Sequence, residues 1–148
     1  MSVDQRTCLA RAGLADCRLE GLVRAERYLE TRAMRCAVAV AAVRAEPQDR
    51  AEQQDQLLYG EAFDVLEESG GWAWGQARRD GYVGWVASHA LALAGDQPTH
   101  RVGALRTCGF SRPDLKSAPV GLFSMNALVR AGEAREGFVH CGEAGWIF

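Results

Sequence analysis

The run Trp72-Ala73-Trp74-Gly75-Gln76-Ala77-Arg78-Arg79-Asp80-Gly81-Tyr82-Val83-Gly84-Trp85-Val86 decides the fold. Trp72 to Ala77 reads as a strand, Asp80-Gly81 as a two-residue hairpin tolerant of positive φ, and Tyr82 to Val86 as the antiparallel return. Just before it, Gly70-Gly71 marks a turn, and Phe63, Val65 and Leu66 belong to the preceding strand. Leu57, Leu58 and Tyr59 lead into Gly60. Glu46-Pro47-Gln48-Asp49 and the polar run from Arg50 to Gln56 read as one loop, and Ala37 to Val43 alternates small and branched residues ahead of it. Short strands joined by glycine turns at this spacing predict a small closed or partly closed β-barrel.

The same order recurs downstream. Leu105-Arg106 answers Val43-Arg44, Gly137-Phe138 answers Gly71-Trp72, and Gly145-Trp146-Ile147 answers Gly84-Trp85-Val86. Two copies follow, joined by Ala94-Gly95-Asp96-Gln97-Pro98. Towards the N-terminus, Leu19, Leu22, Val23 and Leu29 fall near a 3.6-residue stripe, which predicts an amphipathic helix from Arg18 to Thr31. The expected organisation is a mainly β chain: a lead-in and short α-helix over 1–32, one barrel over 33–94 and a second over 95–148. A barrel of about 55 residues buries only about 60% of its unfolded surface. The two are therefore expected to pack together under the helix, with Trp72 and Phe138 as central core residues.

Bulk composition narrows the function. Seventeen Lys plus Arg against nineteen Asp plus Glu leave a net charge of −2 over 148 residues, with 48% hydrophobic side chains. That balance supplies no basic footprint for nucleic acid or for an anionic membrane. An oligonucleotide-binding barrel is disfavoured for the same reason, since its strands interleave basic and aromatic residues. No apolar run is long enough to span a bilayer, and the N-terminus lacks the apolar core of a secretory signal, so a cytoplasmic location is expected. The five cysteines, Cys8, Cys17, Cys36, Cys108 and Cys141, are scattered without C-x-x-C spacing and read as free thiols.

The segments Leu57-Leu58-Tyr59-Gly60-Glu61-Ala62-Phe63, Gly70-Gly71-Trp72-Ala73-Trp74 and Asp80-Gly81-Tyr82-Val83-Gly84-Trp85-Val86 resemble a bacterial SH3 (SH3b) domain. More specifically, they resemble the first such domain of NlpC-type cysteine peptidases of the dipeptidyl-peptidase VI kind, which cleave γ-D-glutamyl bonds in cell-wall peptides. Residues 99–148 resemble, more loosely, the second SH3 domain that precedes the catalytic domain there. The resemblance implies two tandem SH3-like barrels and a non-catalytic role in positioning substrate. The family's nucleophile lies in an Asp-Cys-Ser-Gly segment, which neither Thr107-Cys108-Gly109-Phe110 nor His140-Cys141-Gly142-Glu143 matches. No catalytic residue and no cofactor are therefore expected in these residues. The implied partners are a murein-derived L-Ala-γ-D-Glu peptide and an NlpC-type catalytic domain in cis or in trans. A free-standing SH3-like module for a protein or peptide partner is the alternative.

By position in the resembling motifs, Glu61 and Tyr82 are the candidates to hold the free amino end of such a peptide. A carboxylate forms a charge-assisted hydrogen bond with an ammonium, and a phenol oxygen adds a second acceptor. On the residues alone, Glu61 reads equally as a solvated strand entrance, and Tyr82 as a cross-strand packing aromatic. Trp74 and Trp85, on neighbouring strands, read as core or as a shared stacking surface. Arg78-Arg79 reads as a solvated tip, with Arg79 the candidate contact to a substrate carboxylate. His89, His100 and His140 are far apart, and adjacent His140 and Cys141 on a strand point to opposite faces, so no metal site is expected.

Overall fold

A computed structural model describes residues 4–148; the first three residues of the expected lead-in lie outside the described residues. The N-terminal segment holds β1 (Ala10–Arg11), β2 (Leu14–Asp16) and β3 (Arg27–Leu29), ordered β1-β2-β3, with β2 and β3 parallel. Seven strands follow: β4 (Arg32–Cys36), β5 (Val40–Arg44), β6 (Gln53–Leu58), β7 (Ala62–Ser69), β8 (Trp72–Ala77), β9 (Val83–Ala87) and β10 (Leu91–Leu93). They form one sheet in the order β10-β4-β7-β8-β9-β5-β6. The remaining strands are β11 (His100–Arg101), β12 (Arg106–Phe110), β13 (Pro119–Ser124), β14 (Leu128–Val129), β15 (Ala134–Arg135), β16 (Phe138–His140) and β17 (Trp146–Ile147). Of these, β11 pairs with β14, and the others form a sheet ordered β13-β12-β17-β16-β15. The described residues contain no α-helix, only short 3₁₀ turns at Cys17–Leu19, Ser88–Ala90 and Gly142–Ala144. Among the described residues no helix is long and apolar enough to cross a membrane.

The seven-stranded sheet wraps around one core. Met34 and Cys36 of β4, Val43 of β5, Leu57 of β6, Phe63 of β7, Ala73 of β8, Val86 of β9 and Leu91 of β10 all share a single buried cluster. Strands at opposite ends of a flat sheet would not meet in this way; a curled, SH3-like sheet brings them together.

The expected helix over 18–31 is not formed. Asp16 caps one 3₁₀ turn by accepting from the Arg18 N–H at 2.8 Å. Gly21 then takes φ +80°, a left-handed conformation that ends helical winding. The Tyr28 hydroxyl stitches the following bend, donating to the Val23 carbonyl at 2.6 Å and accepting from the Ala25 N–H at 3.1 Å. Leu22, on the predicted stripe, stays 76% exposed. Here tertiary pairing of β3 with β2 wins over a weak helical period.

Two further readings are corrected. The polar run 50–56 is not all loop, since Gln53–Leu58 pairs antiparallel with β5. The Asp80-Gly81 hairpin is wider than two residues: Ala77 N–H bonds the Tyr82 carbonyl, and Arg78 to Gly81 all lie in the turn. Only Gly81 of the pair has positive φ.

The two larger β regions share landmarks at one constant interval as far as Gly71 and Gly137, after which the second region runs five residues shorter to its matching tryptophan, Trp146 against Trp85. Left-handed backbone occurs at Gly60 and Asn126, at Gly70 and Glu136, and at Gly71 and Gly137. Register shifts occur at Val43/Arg44 and at Gly109/Phe110. Arg44 pairs with Trp85, and Phe110 pairs with Trp146. Gly109-Phe110, and not Leu105-Arg106, therefore corresponds to Val43-Arg44. The earlier match failed because it followed residue type, whereas the bulge that defines the position is a backbone feature.

The two regions dock through the loop after β6. Tyr59 lies in the buried cluster of the second region, with its ring 4.9 Å from Phe123 at an interplanar angle of 60°. Its carbonyl accepts the Leu128 N–H at 2.7 Å, and Arg35 pairs with Glu143 at 2.8 Å.

Candidate ligand-binding site

Glu61 sits just before β7, only 5% exposed, so its charge has to be matched locally. One carboxylate oxygen accepts the Leu58 N–H at 2.9 Å, and the other accepts from Arg79 Nη1 at 2.9 Å. Arg79 projects from the β8–β9 turn, half-exposed, and its guanidinium also reaches Asp80 at 2.8 Å and Asp55 of β6 at 3.3 Å. Three carboxylates thus surround a single cation, and Asp55 Oδ2 is buried with no hydrogen-bond partner.

The electrostatics follow from that imbalance. Burial pushes the Asp55 carboxyl above the ordinary aspartate range, and the neighbouring Asp80 charge adds to the shift. Burial works in the same direction on Asp80, but the Arg79 bond and the Tyr82 N–H outweigh it and hold that carboxyl low. Hydrogen bonding to Asp80 and the surrounding carboxylates raise the Arg79 guanidinium against the effect of burial. Chemically, the cluster suits a small cation with several donors.

Of the sequence candidates, Glu61 and Arg79 meet here, and Tyr82 reaches the cluster through its backbone N–H alone. Tyr82 is half-buried beside Asp80, whose Oδ1 accepts the Tyr82 N–H at 3.2 Å. Arg79 does not stand free for a substrate carboxylate, because its donors are spent on Asp55, Glu61 and Asp80. Arg78 is similarly committed, to both oxygens of Asp64 at 2.8 and 2.7 Å.

Trp74 and Trp85 belong elsewhere. They lie directly opposite each other on β8 and β9, on the outer face of the sheet. With Leu66 and Val83 they pack under Leu9 and Leu14 of the N-terminal segment. The Arg11 guanidinium covers both rings, 5.3 Å from Trp74 and 5.2 Å from Trp85, and pairs with Glu67. The stacking surface considered from the sequence is occupied by the chain itself. Trp72 only borders this cluster, and Phe138 packs against Phe110 and Phe148. Neither is the centre of a barrel; that place belongs to residues such as Phe63.

Asp55 and Asp80 are the members that sequence reasoning missed. Asp55 shares strand parity with buried Leu57, a signal hidden by reading 50–56 as loop. Among the described residues, no group of three or more His, Cys, Asp or Glu side chains is placed to hold a metal ion. All five cysteines are free.

Replacing Arg79 with alanine leaves the buried Glu61 carboxylate with a single donor. A loss of about 1–3 kcal/mol is expected, the cost of an unsatisfied buried group. Chemical denaturation of the variant checks this, and Arg79→Lys should recover part of the loss.

A family model described as "Bacterial dipeptidyl-peptidase Sh3 domain" matches residues 43–91. No curated protein matches the chain. Among solved structures, the chain is similar to NlpC2 from Trichomonas vaginalis, with 13% identity and a TM-score of 0.38 over 82% of this chain and 46% of that one. It is also similar to NlpC1 from the same organism, with 15% identity and a TM-score of 0.39 over 93% and 48%. The chain spans about half the length of these two proteins. The stretch from Val43 to Leu91, β5 through the start of β10, is SH3-like, and the family it resembles is the bacterial dipeptidyl-peptidase kind.

Proposed function

We propose that this chain is a non-catalytic recognition module associated with a peptidoglycan hydrolase of the NlpC type. Residues 33–94 and 95–148 act as tandem SH3-type barrels behind the segment 1–32. The first binds the free amino end of L-Ala-γ-D-Glu peptides, and bond cleavage is left to a catalytic domain in cis or in trans. On this reading the module works in the cytoplasm, on recycled wall peptides.

The surplus of carboxylate around half-exposed Arg79 supports this most directly. An α-ammonium brings three donors and one positive charge, and Asp55 Oδ2 together with the remaining lone pairs of Glu61 and Asp80 can accept them. An acylated amine brings neither the charge nor the donors, so a blocked peptide leaves the carboxylates unpaired.

Titration of L-Ala-γ-D-Glu, followed at the backbone amides of Asp55, Arg79 and Tyr82, tests the proposal. Saturable shifts are expected, with the N-acetyl peptide weaker by at least about tenfold. Affinity should rise as pH climbs through and above the ordinary aspartate range, because Asp55, whose carboxyl burial holds above that range, has to lose its proton before attracting an ammonium. The raised Asp55 value has the opposite sign for the free protein: stability declines as pH rises through that range. If Asp55→Asn and Glu61→Gln both bind the dipeptide as tightly as the parent chain, the assignment fails.

A further inference from the structure

The junction between the two β regions holds a cavity of about 270 Å³, lined by both regions and by the linker between them. The first region contributes Arg35, the linker Asp96, and the second region Arg130 and Glu143. Val129 and Cys141, both buried, supply apolar lining beside them.

These four charged groups are not held equally. Arg35 lies in β4, in register with Ala62 of β7 on one side and Ala92 of β10 on the other. Its side chain is only 26% exposed, so the guanidinium is fixed where it stands. Arg35 Nη2 donates to Glu143 Oε2 at 2.8 Å. Arg130 pairs with Asp96 at 3.5 Å and donates from Nη1 to the Gln97 carbonyl at 3.2 Å. The carboxylates are the loose members, with the Glu143 side chain 70% exposed and that of Asp96 77%. Ion pairs this open to water add little to stability, so either acid can turn to solvent at small cost. Two guanidinium groups then remain beside the apolar lining, with N–H donors in excess of acceptors.

We propose that this cavity binds a small organic dianion, a dicarboxylate or a phosphate monoester, which takes over Arg35 and Arg130 from Glu143 and Asp96 and rests its carbon skeleton on Val129 and Cys141. Two guanidinium charges match a dianion. Their planar forks engage a carboxylate or phosphate through paired N–H bonds, which the single Glu143 contact does not achieve. Glu143 and Asp96 act as tethered competitors for the same donors. Because Arg35 belongs to the first region and Arg130 to the second, the bound dianion also ties the two regions together. The inference is independent of the ammonium site.

Glutarate and methyl phosphate are the probes, at a pH of about 7.5, where a phosphate monoester is a dianion. Binding is followed at constant ionic strength through the Nε signals of Arg35 and Arg130 and the Val129 amide. Saturable shifts are expected with at least one probe, and the tighter of the two names the source of the anion. Butyrate, of similar reach but singly charged, should bind about tenfold more weakly than glutarate. Arg130→Gln should weaken binding of the dianion. Glu143→Gln should tighten it, since the competing acid is gone; a purely structural ion pair predicts no such gain. The proposal is overturned if neither probe gives saturable shifts, if butyrate matches the better dianion, or if Glu143→Gln leaves affinity unchanged or lower. Neither probe carries an amine, so none of these outcomes depends on whether L-Ala-γ-D-Glu binds at Asp55.

Discussion

Gly60→Ala should loosen the second β region from the first and cost about 2–4 kcal/mol. Two effects act together. The residue holds φ at +80°, where a side chain is strained, and a Cβ there would lie 2.1 Å from the Leu128 carbonyl oxygen. That carbonyl belongs to the backbone of β14, so relief requires moving the strand. Movement would in turn break the Leu128 N–H bond to Tyr59 and withdraw the Tyr59 ring from Phe123. Two controls isolate the cause. Asn126 holds a similar φ of 72°, so Asn126→Gly should be well tolerated. Gly95→Ala adds a methyl group with nothing within 4 Å and should be nearly silent. Thermal unfolding of the three variants, with Phe123 followed by NMR, is the measurement. A Gly60→Ala protein that melts with the parent would show that the junction does not depend on this close approach.

The second large effect is expected from Trp74→Ala. Removing a nearly buried indole costs about 3–5 kcal/mol in a site that cannot collapse. Its location decides what fails. Trp74 lies on the outer face, clamped between β9 and the N-terminal segment, while the inner core is filled by Phe63 and its neighbours. The variant should therefore shed the segment up to Leu29 first, since Leu9, Leu14 and Arg11 all lose their main contact. Limited proteolysis should cut that segment faster, with the seven-stranded sheet still protected. Phe63→Ala should reverse the order by unfolding the sheet itself. If the N-terminal segment of Trp74→Ala stays as protected as in the parent chain, the clamp is not what holds it.

These expectations mark where the sequence was readable. Strands β7 to β9 were legible because alternating side chains and the Gly70-Gly71 turn act within a few residues of each other. The N-terminal segment was not. Its apolar spacing mimics a helix, and only the remote Trp74–Trp85 surface explains why Leu9 and Leu14 matter more than Leu22. Trp72 was given a central place on size alone, although it shares the outward parity of Trp74, whereas Ala73 and Ala77 point inward. At the candidate site, Glu61 stood out by its motif, but its partners come from β6 and from the turn after β8. Which carboxylates share one guanidinium depends on strand register, and a single sequence does not display register.

The pairing of β4 with β10 also sets an order of events during synthesis. Met34 and Cys36 pair with β7 first, but their second flank is covered only when Leu91 and Leu93 have left the ribosome, and Leu9 and Leu14 wait for Trp74 and Trp85. The earliest part of the chain is thus the part that idles longest with apolar surface uncovered. Translation pauses placed before Leu93 has emerged should expose this early part to chaperones and proteases, whereas pauses after that emergence leave it already sheltered.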